Sequence, residues 1–348
     1  MGTLADIGRA TPPRSAPDRV RAGSAYEVVS LACRAPSVHN TQPWRWRVDG
    51  TSLELYADCS RALPATDPRG RNLVLSCGAA LHHAEAAARA LGWEPTLRRQ
   101  PDPADPGLLA RIHLADRDPD TRRASGAPDP TAVLRAIHER RTDRRRFTSW
   151  PVPAARLERL AAAAIEQGGL SEPIVDVTAR FRVELLISRA MSAQEGDERL
   201  LAEQRTWIDH SRDDGIPSDS VPETGFGPLA HRSRFSRAAR PEVPGPARGL
   251  VESSDGVLVI GGPDDSVDSW LRSGEALSAL WLLATCTGLS VVPLSQVIEV
   301  DETRHALQHD VLGDRLVPHV VLRIGWQEIS RSTHRATPRR PLDDVLLP

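Results

Sequence analysis

Two short strings in this chain of 348 residues hold side chains whose types and spacing could do chemistry. The first is Pro36-Ser37-Val38-His39-Asn40-Thr41-Gln42-Pro43-Trp44. A proline stops a helix, hydroxyl and amide side chains follow, and a second proline and a tryptophan open a strand. Ser and Asn on such a turn can hydrogen-bond a planar heterocycle while exposed backbone amides face its oxygens. These residue types also fit an ordinary helix-to-strand connection. The second string runs Arg140-Arg141-Thr142-Asp143-Arg144-Arg145-Arg146-Phe147 and then Pro151-Val152-Pro153. Five arginines around one threonine suit a phosphate dianion paired bidentately, with a solvated basic face as the plainer alternative.

Other chemistries find little here. His305 and His309 are one helical turn apart without a carboxylate–histidine metalloprotease pattern, and His82-His83 is not metal-spaced, so no metal site is expected. Gly261-Gly262 is not a G-x-G-x-x-G fingerprint, and no G-x-S-x-G elbow occurs. A net charge of −2 with 26% charged residues argues against nucleic acid and membrane surfaces as partners. All 44 basic residues are arginine, so every cationic contact to an anion is a guanidinium. Cys33, Cys59, Cys77 and Cys286 have no C-x-x-C spacing, which fits a reducing compartment and free thiols. With no apolar leader and no spanning run, the expected location is cytoplasmic.

The elements that must position these strings are partly legible. Ser24 reads as the N-cap of a helix that breaks at Pro36. Trp44–Val48 and Leu53–Tyr56 alternate around the hairpin signal Asp49-Gly50. Helical patterns cover Gly78–Leu91, Ala132–Glu139, a stretch opened by Pro153, Phe181–Trp207 and Val267–Cys286. Strands are expected at Leu109–Leu114, Val257–Ile260 and Val317–Ile324. A weak internal repeat aligns Gly78-x-x-Leu81…Gly92 with Gly274-x-x-Leu277…Gly288, the glycines fourteen apart in both.

The first string resembles the PSxxNxQPW element of FMN-dependent nitroreductases, in the form seen in the two-copy, single-chain branch of mycobacterial Acg-like proteins. The second resembles the arginine segment that opens nitroreductases and holds the FMN phosphate. Thr287-Gly288-Leu289 through Val292-Pro293-Leu294-Ser295-Gln296 resembles the family's loop that passes a backbone N–H to flavin N5, with Ser295-Gln296 where the family often has Glu-Gly. Pro338-Arg339-Arg340-Pro341-Leu342 resembles its C-terminal basic pair. The resemblance covers roughly residues 24–100, 131–170 and 255–345.

It implies an α+β fold, a nitroreductase-like mixed sheet wrapped by helices, in two fused pseudo-symmetric halves forming an internal pseudo-dimer and a monomeric chain. The expected divisions are a flexible tail (1–22), a first half (23–125), the start of a second half (126–179), an insertion or lid (180–250), and the rest of the second half with a C-terminal arm (251–348). The first copy lacks an arginine segment and the second lacks the Pro-Ser-Asn turn, with Ile165–Gly169 near its place. One complete FMN site per chain follows. The implied cofactor residues are Ser37, Val38, Asn40, Gln42, Arg140, Thr142, Arg144, Pro293, Leu294, Ser295, Arg339 and Arg340. No catalytic acid or base is named beyond the Ser295 backbone near N5, because the flavin can carry the protons. The implied function is an NAD(P)H-dependent oxidoreductase passing hydride through flavin N5 to or from a small electron-poor substrate. The alternatives are a lid-covered FMN store without turnover, or a specialised use of the flavin.

Overall fold

Two helices of 20 residues each run through the middle of the molecule, α2 (Arg71–Ala90) and α7 (Val267–Cys286). Both are buried over most of their circumference, as expected of helices rich in Ala and Leu with few charges. Gly78 and Gly274 stand where they cross. A Cβ on Gly78 would overlap the carbonyl oxygen of Leu271, and one on Gly274 would overlap that of Leu75. The contact is reciprocal, backbone against backbone. Each helix is followed by a glycine in the left-handed region, Gly92 (φ 93°) and Gly288 (φ 77°).

The computed structural model describes residues 16–116, 129–144, 147–218, 255–327 and 337–348, with the backbone only for 16–23. Around the helix pair lie two four-stranded sheets. The first contains β1 (Trp44–Asp49), β2 (Ser52–Ala57), β3 (Trp93–Arg99) and β4 (Leu108–Asp116), in spatial order β1-β2-β4-β3. The second contains β5 (Leu170–Pro173), β6 (Gly256–Gly262), β7 (Leu289–Leu294) and β8 (Val317–Trp326), in order β5-β6-β8-β7. The order is the same in both, and α2 and α7 each sit between the second and third strands of their own sheet. A helix precedes each first strand, α1 (Ala16–Ala32) before β1 and α4 (Ala154–Ile165) before β5. The remaining helices are α3 (Pro130–Glu139), α5 (Val177–Glu195), α6 (Glu198–Thr206), α8 (Gln296–Glu299), α9 (Asp301–Ala306) and α10 (Leu342–Val345).

The α+β class is as expected, but the strands form two sheets whose ladders are antiparallel throughout, not one mixed sheet. For β1 and β2 a short connection explains the sense of pairing, since a two-residue turn at Gly50-Thr51 leaves no room for a parallel crossover. A parallel bridge, Trp46 to Leu346, adds the C-terminal arm to the free edge of β1, and Leu347 N–H donates to Trp46 O at 2.7 Å.

Three local expectations are corrected. Residues 16–22 are helical, and Ser24 lies inside α1; Pro17 in the first turn is well suited to begin a helix. Phe181–Trp207 is two helices, because Gly196 ends α5 and the Asp197 carboxylate caps α6 at Arg199 and Leu200. The run through Pro293 is a strand up to Leu294. Residues 1–15, 117–128, 145–146, 219–254 and 328–336, including Arg145, Arg146, Phe226 and Phe235, lie outside the described residues. The excursion between β5 and β6 stands where the first sheet has its two-residue turn.

Candidate functional site

The segment after α1 is conformationally costly. His39 (φ 49°), Asn40 (φ 55°) and Gln42 (φ 49°) all occupy the left-handed region, within four residues and without glycine. Such conformations cost about 1–3 kcal/mol each and persist only where the surroundings over-determine them. Here Ser37 Oγ accepts from Gln42 N–H (2.9 Å), Asn40 N–H reaches Ser37 O (3.1 Å) and Thr41 N–H reaches Val38 O (2.9 Å). Ser76 Oγ on α2 accepts from Val38 N–H at 3.2 Å, and the Arg61 guanidinium donates to Thr41 O. Trp44 and Trp46, both fully buried, anchor the strand that follows.

Two cationic segments close on this turn. Arg339 donates to Asn40 Oδ1 (3.1 Å) and to the carbonyls of Arg34 (3.1 Å) and Ala35 (3.4 Å). Arg340 donates through its backbone to Gln42 Oε1 (2.9 Å) and through its side chain to Gln42 O (3.2 Å). From the end of α3, Arg140 reaches Arg34 O at 3.2 Å and stacks its guanidinium 4.7 Å from the Trp281 ring centroid. Arg34, Arg140, Arg141 and Arg339 thus gather where α1 and α3 end.

The group is under-neutralised. Arg140 Nε and Nη1, Arg34 Nε and Arg339 Nε are buried with no hydrogen-bond partner among the described residues. Burial, with Arg339, Arg141 and Arg34 beside it, pushes the Arg140 pKa well below its ordinary value. Burial and Arg34 push that of Arg339 down to about 10. Such a cluster of guanidiniums, with Arg140 buried and Arg34, Arg141 and Arg339 half-buried, could hold an anion.

A third wall comes from the excursion after α6. Asn40 Nδ2 donates to Gly215 O (2.9 Å) as well as to Pro338 O (3.1 Å), and Gln42 Nε2 donates to Asp213 O (2.9 Å). Asp214 pairs with Arg61 and accepts from His210 and Ser211, each at 2.7 Å. Although burial pushes it upward, hydrogen bonds from Ser211, His210 and Arg61 hold the Asp214 carboxyl below the usual range. Trp207 stacks on His210 with centroids 4.4 Å apart, and the Glu203 carboxylate accepts the backbone N–H groups of Ala65 and Thr66, both at 2.9 Å.

Of the twelve cofactor residues expected from the sequence, Ser37, Val38, Asn40, Gln42, Arg140, Arg339 and Arg340 meet directly. Asn40 and Gln42 spend their amides on protein partners and act as clamps between turn, arm and excursion. Thr142 and Arg144 follow Arg140 without regular structure. Pro293 and Leu294 pair with Leu322 and Val321, and Ser295 precedes α8. A link between that end of the second sheet and the turn runs through α2, where Ser76 holds Val38 and Arg71 donates to Ile298 O at 3.3 Å. Sequence reading missed Arg34, Arg61, Ser76, Glu203 and Asp214. The hydroxyl of Ser76 in an otherwise apolar stretch of α2 was the one available signal.

Elsewhere, Ser273 Oγ lies 2.8 Å from His319 Nδ1, and His319 Nε2 lies 3.6 Å from Asp265. The serine and histidine are fully buried, and Asp265 is held bidentately by Arg304, so this network is structural. No group of three His, Cys, Asp or Glu among the described residues is placed to hold a metal ion. No described helix is long and apolar enough to cross a membrane.

No protein-family model matches the chain. It is 37% identical over 323 residues to "Putative NAD(P)H nitroreductase Rv3131" of Mycobacterium tuberculosis, covering 92% of this chain and 90% of that protein. It is 33% identical over 324 residues to "Putative NAD(P)H nitroreductase acg" of the same organism, covering 91% and 93%. Among solved structures, a nitroreductase with bound FMN from Bacteroides fragilis aligns over 60% of this chain and 94% of its own at 14% identity and a TM-score of 0.37. On the strength of the first two relatives, matched over nine-tenths of both chains, the protein belongs to the nitroreductase-like family of Rv3131 and acg.

Proposed function

We propose that the chain is an FMN-binding, NAD(P)H-dependent oxidoreductase with one flavin site, whose phosphate end is the arginine group of Arg34, Arg140, Arg141 and Arg339. The observation that carries the reading is the set of orphaned, buried guanidinium N–H groups, which fit a phosphate dianion. The strained turn and Ser295 at the end of β7 are the two segments available to a planar ring. The chemistry that FMN supplies when bound is two-electron transfer between a reduced nicotinamide and a small electron-poor acceptor. The chain's part is to bind, to orient and to exclude water, and no protein acid or base is assigned.

The matching strand orders and the reciprocal Gly78–Gly274 contact support reading the chain as an internal pseudo-dimer with one site retained. The purified protein is then expected to carry about one FMN per chain and no FAD. Acid release followed by chromatography checks this; two flavins per chain, or FAD, would refute the single-site reading.

A second reading, FMN storage behind a closed cover, is favoured by one observation: residues 203–215 are tied to the first half through Glu203, Asp213, Asp214 and Gly215. Asp214→Ala removes a buried carboxylate that holds Arg61, His210 and Ser211, at a cost of about 3–5 kcal/mol to the closed arrangement. Release of flavin into excess buffer, followed by fluorescence, is expected to accelerate at least tenfold, and anaerobic bleaching by NADPH should accelerate with it. Unchanged rates would mean that this segment is not a cover.

A further inference from the structure

His83 is a buried titratable group that the proposed function leaves without a role. It sits on α2 with no exposed surface. Its Nδ1 lies 3.1 Å from Ala79 O and 2.7 Å from Ser278 Oγ on α7, while its Nε2 is buried with no hydrogen-bond partner among the described residues. The Nδ1 contacts decide the tautomer. Ala79 O can only accept, so Nδ1 carries the proton in the neutral ring. Ser278 Oγ can then accept from His83 and donate to His82 Nδ1, which is also 2.7 Å away. The edge left bare is Nε2.

The ring lies one turn of α7 from the arginine group. Ser278 and Trp281 lie three residues apart on α7, one above the other on one face. His83 packs on the first and Arg140 on the second, so ring and guanidinium are neighbours across a single helical turn. Both present unpartnered, buried nitrogen, Nε2 on His83 and Nε and Nη1 on Arg140.

We propose that His83 is the proton-linked member of the anion site: when a phosphate dianion enters beside Arg140, His83 Nε2 takes up a proton and donates it in a hydrogen bond to that phosphate. The inference rests on the assignment of the arginine group as the phosphate end. With no anion present the ring is neutral: burial first, then Arg140 and His82, hold its pKa well below the ordinary value, with Arg339 acting the same way, against the Ala79 carbonyl. The groups that face it are His82 and Ala79 O on its own helix, Ser278 and the uncharged Trp281 on α7, Arg140 after α3, and Arg339 of the C-terminal arm. Burial and Arg89 push His82 down to about 4, so it too is neutral near pH 7. The charges of Arg140 and Arg339 that act on His83 are positive, and two negative charges arriving beside them offset that field. The His83 pKa rises on binding, so a proton is taken up at any pH between its free and bound values.

Calorimetric titration of flavin-free protein with FMN at pH 7, in buffers of different ionisation enthalpy, measures the proton directly. A phosphate monoester has its second pKa near about 6, so the ligand itself is almost wholly dianionic there. The expected result is an uptake of about half to one proton per FMN, none for riboflavin, and loss of the uptake in His83→Gln with affinity about tenfold lower. FMN binding without proton uptake, or uptake unchanged in His83→Gln, overturns the inference and leaves the flavin assignment standing. Failure of both FMN and inorganic phosphate to bind overturns the two together. If His83→Gln does not fold, 15N-histidine spectra of the wild-type chain decide: one imidazole must pass from neutral to doubly protonated on saturation with FMN, and no such change refutes the role.

Discussion

Replacing Arg140 by methionine is expected to stabilise the flavin-free protein while lowering its affinity for FMN about 10- to 100-fold, the equivalent of one lost charge-assisted contact of about 1.5–3 kcal/mol. The two effects have one cause. Without an anion, Arg140 is an almost wholly buried cation with two orphaned nitrogens and cationic neighbours. Breaking or omitting the partner of a buried charge is strongly destabilising, and an apolar side chain of similar length relieves that strain. Methionine also keeps contact with Trp281. Thermal melts of the flavin-free protein and a fluorescence titration check the pair of outcomes. An arginine that merely braces α1 against α3 through Arg34 O would instead lose stability on substitution, with binding unaffected. Opposite signs for stability and affinity are therefore the signature of a site residue.

Gly274→Ala is expected to cost more than about 3 kcal/mol of stability, an unusually large effect for one added methyl group. The new Cβ would overlap Leu75 O and approach Gly78 Cα at 2.9 Å, and both neighbours are helical backbone that cannot rotate away. The two central helices must part along their length, opening the packed interface on both sides of the crossing. Gly78→Ala should cost a similar amount, because its Cβ meets Leu271 O in the mirror-related way. Denaturant midpoints measure both, and a loss below about 1 kcal/mol at either position would show that α2 and α7 do not cross here as described.

How much of this was legible depends on how local each cause is. The crossing was foreshadowed by Gly78 and Gly274 standing at the same place in two alanine- and leucine-rich runs that both end two residues before a glycine. That pattern is local to each helix, and only the contact between them needs three dimensions. β5 was not legible, because Leu170–Pro173 is four residues long, half-buried throughout, and contains a proline. The division of 181–207 turned on Gly196-Asp197, a stop followed by a cap that a continuous charged pattern disguised. In the site, the turn and the arginines announced themselves by type and order. Asn40 did not reveal its use: its amide is shared among Gly215, Pro338 and Arg339, residues 175 to 299 positions away. Arg34, Asp214 and Glu203 are ordinary surface-type residues until distant backbone groups meet them, so nothing in their neighbourhoods could mark them.

The arm that bridges Trp46 to Leu346 has a consequence for concentration. Residues 339–340 and 213–215 meet the turn at 37–42, and Arg140 meets Arg34 just before it, all within a single chain, so the walls of the site are tethered to one another. Where such walls belong to separate subunits, dilution pulls them apart and ligand affinity falls with protein concentration. Tethering replaces that bimolecular step by an effective concentration of the order of millimolar. A flavin site of the kind proposed would then assemble independently of protein concentration.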